Sequence, residues 1–191
     1  MKIAFLGWGS LLWDHRAEFE EHHGPWQFDG PTLKLEFSRV SRTRNGALTL
    51  VLDSRNGEPC QVAYAFSKRQ DPDDAICDLM CREGTTLRNI GVWFANNSRQ
   101  QSRNSEVLRN IGLWALRKHI DVVIWSDLRS NFERKSRCQK PFTIEDALCH
   151  IKALDAEGKA KTVEYVSRAP DFIETPLRDA LRLQPWFSHP D

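Results

Sequence analysis

The first residues with chemical potential lie near the N-terminus, in Phe5-Leu6-Gly7-Trp8-Gly9-Ser10-Leu11-Leu12-Trp13. An apolar stretch from Ile3 to Leu6 reads as a strand, and two glycines and a serine follow it. Glycines after a strand admit backbone dihedrals closed to other residues and leave N–H groups uncovered. Successive uncovered N–H groups make a concavity that attracts a carboxylate or an oxyanion. Gly7, Trp8, Gly9, Ser10 and Leu11 are therefore candidate binding residues for an anionic group. A buried strand ending in a tight turn fits the same residues. Gly7-x-Gly9-x-x-Leu12 lacks the third glycine of a dinucleotide fingerprint, and no P-loop pattern occurs. Ser10 is not in a G-x-S-x-G elbow, so a serine hydrolase has little support.

Glu83 is the candidate acid/base. Ile76, Leu79 and Met80 form the apolar stripe of a helix spanning Asp71 to Arg82, and Glu83 falls on its next position. A carboxylate facing a core or a cavity edge pays for ionisation by desolvation, which raises its proton affinity toward the range a general acid/base needs. A terminal helix residue that bends to solvent, or pairs with Arg82 or Arg88, fits the same position. Arg39 and Ser41 are weaker binding candidates. They extend the inward face of a strand on which Leu33, Leu35 and Phe37 alternate with Lys34, Glu36 and Ser38. A strand end emerging into solvent is the simpler explanation of them. His15, His22 and His23 lie among acidic residues without metal-ligand spacing and read as a solvated helical face. Cys77 and Cys81, four apart on the expected helix, read as packing residues. Arg129 to Lys140 holds five basic residues and one acid, a solvated loop or a seat for phosphate.

The elements that must position these residues follow from period and punctuation. Pro31–Ser41, Ala47–Asp53 and Cys60–Phe66 are separated by Asn45-Gly46 and Asn56-Gly57, the signature of an antiparallel meander. Asp71 and Pro72 open a helix that Gly84 ends. Ile90–Phe94 and Asp121–Ser126 read as strands around a helix striped by Val107, Leu108, Ile111, Trp114 and Ala115. Thr143 to Asp146 is a capping box opening a helix that Gly158 stops. Val163 and Val166 mark a short amphipathic segment, and Thr175-Pro176 opens the last helix. The result is one domain, with a β-rich first half and a helix-rich second half.

Bulk composition narrows the function classes. A chain of 191 residues, 40% hydrophobic and 28% charged, suits a globular domain with a sizeable core. A net charge of +1 argues against a dedicated nucleic-acid binder. Five cysteines without C-x-x-C indicate neither a disulfide framework nor a zinc ribbon, and reduced thiols in a cytoplasmic protein are the simpler reading. No run approaches the ~18 apolar residues of a membrane span. Ile3 to Trp13 is not a signal core, because it contains glycines and serine and lacks a small-residue cleavage site. Seven tryptophans suggest aromatic packing or a lined pocket, in which Trp8 and Trp13 are candidates for the wall.

Three segments in order resemble the γ-glutamylcyclotransferase superfamily. Phe5–Trp13 resembles its strand and Y-G-S-L loop. The hairpin Ser41 to Asp53, with Leu48-Thr49-Leu50-Val51, is followed by Val62-Ala63-Tyr64-Ala65. Cys81-Arg82-Glu83-Gly84 is similar to the R-E segment that holds the family's catalytic glutamate. Val123–Leu128 and Arg168–Arg178 look like a bacterial branch of that superfamily. The resemblance implies an α+β fold in which residues 1–191 form a single domain around a small, mixed, barrel-like sheet with surrounding helices. It implies no metal and no organic cofactor. It also implies a backbone cradle at Gly7–Leu11 for a small-molecule γ-glutamyl substrate, and Glu83 as acid/base. Trp8 stands where the family has tyrosine, and Arg42–Gly46 does not reproduce the pattern of the glutathione-specific branch. The implied reaction is cyclisation of a γ-glutamyl amide or peptide to 5-oxoproline with release of an amine. The alternative is a non-catalytic module holding a small acidic ligand or an acidic partner in the same pocket. Neither the leaving group nor the oligomeric state is indicated, and no membrane or nucleic-acid partner is expected.

Overall fold

In the computed structural model, which describes residues 1–187, these patterns resolve into an α+β fold. The elements are β1 (Ile3–Gly7), a 3-10 turn (Gly9–Leu12), α1 (Ala17–Glu20), β2 (Thr32–Val40), β3 (Leu48–Leu52), β4 (Glu58–Gln61), β5 (Ala63–Phe66) and α2 (Pro72–Glu83). After these come β6 (Ile90–Phe94), β7 (Gln100–Gln101), α3 (Ser105–Arg117), β8 (Val122–Ser126), α4 (Phe132–Lys135), α5 (Ile144–Lys152), α6 (Ala156–Arg168) and α7 (Pro176–Arg182). Two compact units divide the chain, neither of them continuous in sequence.

The first unit comprises Met1–Leu33 and Gln61–Leu128. Its five-stranded sheet has the order β5-β1-β8-β6-β7. All five residues of β1 are buried, as its unbroken apolar run requires of a central strand. β1 runs parallel to β8, with Ile3 opposite Val122 and Phe5 opposite Ile124, and antiparallel to β5. The mixed sheet expected from the resemblance is present, and it is open, with β5 and β7 at its edges. Ile76 and Leu79 of α2 join Ile3, Phe5, Leu11, Val92 and Ile124 in one core cluster. The helix obeys its punctuation: the Asp71 carboxylate accepts the Asp73 N–H, and Gly84 ends it in the left-handed conformation. Much of the tryptophan content is packing. Trp93 lies where a side chain on Gly112 would meet it at 2.6 Å, and Trp125 crowds Gly91 in the same way.

The second unit comprises Lys34–Cys60 and the chain from Arg129 onward. A three-stranded sheet, ordered β3-β2-β4, accompanies α4 to α7. The expected meander is therefore not formed. The third run splits at Val62: β4 stays beside β2, whereas β5 pairs with β1 in the other sheet. The alternation on β2 also breaks. Leu35 and Glu36 pair with Leu52 and Val51, but Arg39 and Val40 pair with Thr49 and Leu48, so β2 carries one extra residue. That bulge interrupts the period of two beyond Glu36, and the face expected to meet solvent is itself covered, with Glu36 and Ser38 buried. Gly158 does not stop α5, which ends at Lys152; it lies in the first turn of α6, with its N–H on the capping Asp155 carboxylate. The short amphipathic segment expected around Val163 is thirteen residues of helix. Among the described residues no helix is long and apolar enough to cross a membrane.

Candidate functional site

β1 delivers the glycine turn. Gly9 adopts φ +57°, a conformation that favours glycine, and the chain winds into the 3-10 turn from there. Gly7 is glycine for a different reason. A Cβ on it would meet the Trp26 ring at 2.5 Å and Leu12 at 3.1 Å. Trp8, Gly9 and Leu11 are buried, and Ser10 is half-exposed. Burial of Trp8 accords with the packing alternative for that side chain. The Ser10 carbonyl collects donors: the Asp14 N–H at 2.9 Å, the Trp13 N–H at 3.4 Å and Arg82 Nη2 at 2.9 Å.

Sequence reasoning named Arg82 only as a partner for Glu83 and not for the glycine turn. Arg82 follows Ala75 and Leu79 at helical spacing on the buried face of α2, so its signal was as available as that of Glu83. Its side chain is 3% exposed. One Nη2 donates to the carbonyls of both Ser10 and Asp14, at 2.9 and 2.8 Å. The same guanidinium is 3.8 Å from the Asp14 carboxylate and, through Nη1, 3.8 Å from Glu83 Oε1. Arg16 completes the arrangement by donating to the Arg82 carbonyl at 2.9 Å. A single cation thus binds the backbone of the glycine turn and stands beside the carboxylate at the end of α2. Glu83 is 17% exposed, consistent with its place on the stripe, and it pairs with Arg82 as the alternative reading foresaw. The isolated, desolvated carboxylate imagined from the stripe is instead half of an ion pair.

Arg39 and Ser41 belong to the second unit. Arg39 donates to the Arg129 carbonyl at 2.8 Å, and Ser41 Oγ is 3.3 Å from Thr43 Oγ1 just past the end of β2. Of the histidines expected on a solvated helical face, His15 is exposed, whereas His22 is half-buried and His23 departs from the expectation. His22 is 2.9 Å from Arg69, and His23 is buried with its ring against Phe19 and Trp26. Cys77 and Cys81, read as packing residues, are exposed on α2.

Among the described residues the carboxylate most removed from water is Glu36, in the second unit. Oε1 accepts the Phe37 N–H at 2.6 Å and the Thr175 hydroxyl at 2.7 Å, and Oε2 accepts the Leu177 N–H at 3.3 Å. Desolvation pushes it up to about 7, against those donors and with help from the nearby Asp53 charge. Its partners are the start of α7 and its own strand, so it works as an anchor. Nearby, the buried Cys60 thiol donates to the Glu174 carbonyl at 3.3 Å. Compared with family models, with curated proteins and with solved structures, the chain matches none.

Proposed function

We propose that the chain is a γ-glutamylcyclotransferase-like enzyme that converts a γ-glutamyl amide or peptide to 5-oxoproline and releases an amine. The observation that supports this reading is the Arg82 guanidinium shared by the Ser10 carbonyl and the Glu83 carboxylate. It ties the glycine turn and the carboxylate at the end of α2 to one cation, as a site shared by the two requires. In the reaction the substrate's free α-amine attacks its own side-chain carbonyl. Glu83 takes the proton that the amine loses and returns it to the departing nitrogen as the carbon–nitrogen bond breaks. N–H groups at the start of the 3-10 turn stabilise the tetrahedral oxyanion or grip the substrate carboxylate. The nucleophile is tethered to its electrophile, so the protein supplies orientation and a proton shuttle without a second substrate.

The test is 5-oxoproline release from a panel of γ-glutamyl amines and peptides. Wild type turns over at least one member, and Glu83→Gln lowers kcat about 10²- to 10⁴-fold with its melting temperature retained. Equal turnover by the two chains removes Glu83 from the mechanism. One observation favours a second reading. Glu83 is charge-compensated by Arg82 and Trp8 is buried, an arrangement suited to holding a small acidic ligand without turning it over. Thermal stabilisation by γ-glutamyl compounds with no product from any of them selects that module.

A further inference from the structure

We propose that Cys138 and Cys149 form a redox-modification site, a dithiol that a peroxide-class oxidant converts to a disulfide. Both cysteines lie in the second unit, and the connection leading into α5 is held at two points flanking Cys138. The Arg137 N–H donates to His150 Nδ1 at 3.0 Å, and Lys140 Nζ is 3.7 Å from the Asp146 carboxylate. A turn with Gln139 at φ +50°, its N–H 3.1 Å from Ser136 Oγ, fixes the backbone around the cysteine. The Cys138 thiol consequently lies over α5 and donates to the Asp146 carbonyl at 3.5 Å. Asp146 and Cys149 are three residues apart on that helix and share a face. Helical side chains lean toward the N-terminus. The Cys149 side chain therefore leans over the turn that Cys138 contacts, close enough for its thiol to raise the proton affinity of Cys138.

The order of events follows from exposure. Cys149 is exposed and Cys138 half-buried. Burial, then the adjacent Cys149 thiol, push Cys138 above the ordinary thiol range, although Lys140 acts the other way. Cys149 is therefore the sulfur that peroxide reaches. Its thiolate attacks one peroxide oxygen and the O–O bond breaks, giving a sulfenic acid and a hydroxide that takes a proton from solvent to become water. The Cys138 sulfur then attacks the Cys149 sulfur. The S–O bond breaks, the leaving hydroxide takes up the Cys138 proton as water, and the S–S bond remains. The two sulfurs are oxidised together by two electrons and the peroxide is reduced. The remaining cysteines serve as comparators. Cys60 is buried and its proton affinity is pushed up to about 11 by desolvation, which keeps it inert. Cys77 and Cys81 are as exposed as Cys149 without a docked segment presenting one to the other.

The experiment treats the folded chain with hydrogen peroxide, blocks the remaining thiols with an alkylating agent and locates the sulfur species by peptide mass spectrometry. A Cys138–Cys149 crosslink two hydrogens lighter than the dithiol is expected, reversed by dithiothreitol, with Cys77 and Cys81 alkylated. Cys138→Ser is expected to leave Cys149 as a sulfenic acid trapped by dimedone, and a thermal melt matching wild type shows that the variant folds. Two results overturn the proposal. One is Cys149 passing to sulfinic acid while Cys138 is still alkylated. The other is crosslinks spread equally over all exposed cysteines.

Discussion

Glu36 carries three hydrogen bonds in the second unit, and all three donors favour its ionised form. Desolvation outweighs them, because its proton affinity stands at about 7 against an ordinary 4.5. The folded-state value lies above the unfolded one, so the contribution to stability is complete below about pH 4.5 and is lost as the pH rises through about 7. The loss is of order 3 kcal/mol. Glu36→Gln removes this titration while keeping an acceptor for the Thr175 hydroxyl. Urea unfolding at about pH 5 and pH 8 should show the variant gaining roughly that amount on wild type at the higher pH. His150 contributes an opposite slope. Burial lowers its proton affinity, so its contribution is present above the ordinary histidine value and lost as the pH falls. Both chains share that slope, and it cancels in the comparison. A gap between the chains that does not change with pH would refute the assignment. Glu36 was unreadable from sequence because β2 is covered on both faces, the second of them by the start of α7, where Thr175 and Leu177 hold the carboxylate. A period-two count has no means of registering a helix that arrives from more than a hundred residues away. Glu83 was legible because α2 keeps its helical period to its last residue.

Helix ends show where an element's own sequence suffices and where its neighbours decide. α2 begins and ends at its local signals, an Asp-Pro start and a left-handed Gly84. α6 does not, because Gly158, a stop signal in isolation, sits in its first turn. The reason is tertiary: a Cβ there would meet the Asn45 carbonyl oxygen at 2.6 Å. The two glycines therefore predict different penalties by different routes. Gly158→Ala gains about 1 kcal/mol of helix propensity but collides with backbone that cannot rotate aside. The net expectation is a loss of about 1–3 kcal/mol. Gly84→Ala meets nothing within 4 Å and loses only what φ +56° costs an alanine, about 1 kcal/mol. Chemical denaturation of the two variants should rank Gly158→Ala as the more damaging. The reverse order would mean that α6 can slide off the Asn45 turn. Propensity alone sees a favourable change at Gly158, and only the hairpin contributed from more than a hundred residues earlier in the chain reverses its sign.

The chain passes between its two units near residues 33, 60 and 128, so neither unit is a continuous stretch. Local patterning located the longer strands and helices, passing over β7 and α4 and joining β4 to β5, but could not distribute them. Nothing near Ile3 announces a parallel partner at Val122, and nothing near Glu36 announces Thr175. Dividing the sequence into a β-rich and a helix-rich half therefore misassigns β2 and β3. They belong with α5 to α7 by packing: Phe37 meets the Tyr165 ring edge-on at 6.2 Å, and Gly46 lies against Leu154. A fragment ending at Leu128 tests this partition. It retains every strand of the first sheet, including β8 beside β1, together with α2 and α3. It removes the helices of the second unit and, with Thr175 and Leu177, two of the three hydrogen bonds to Glu36. Without those helices the apolar side chains of the small β3-β2-β4 sheet lose their cover, and so short a sheet with no packed face is marginal in water. Hydrogen exchange on the fragment should leave the amides of β1, β6 and β8 protected within about tenfold of the full chain. Those of β2 and β3 should exchange at unfolded rates. Uniform loss of protection would show that the first sheet draws its stability from the second unit. Uniform retention would show that the hairpin needs neither α7 nor the Glu36 anchor.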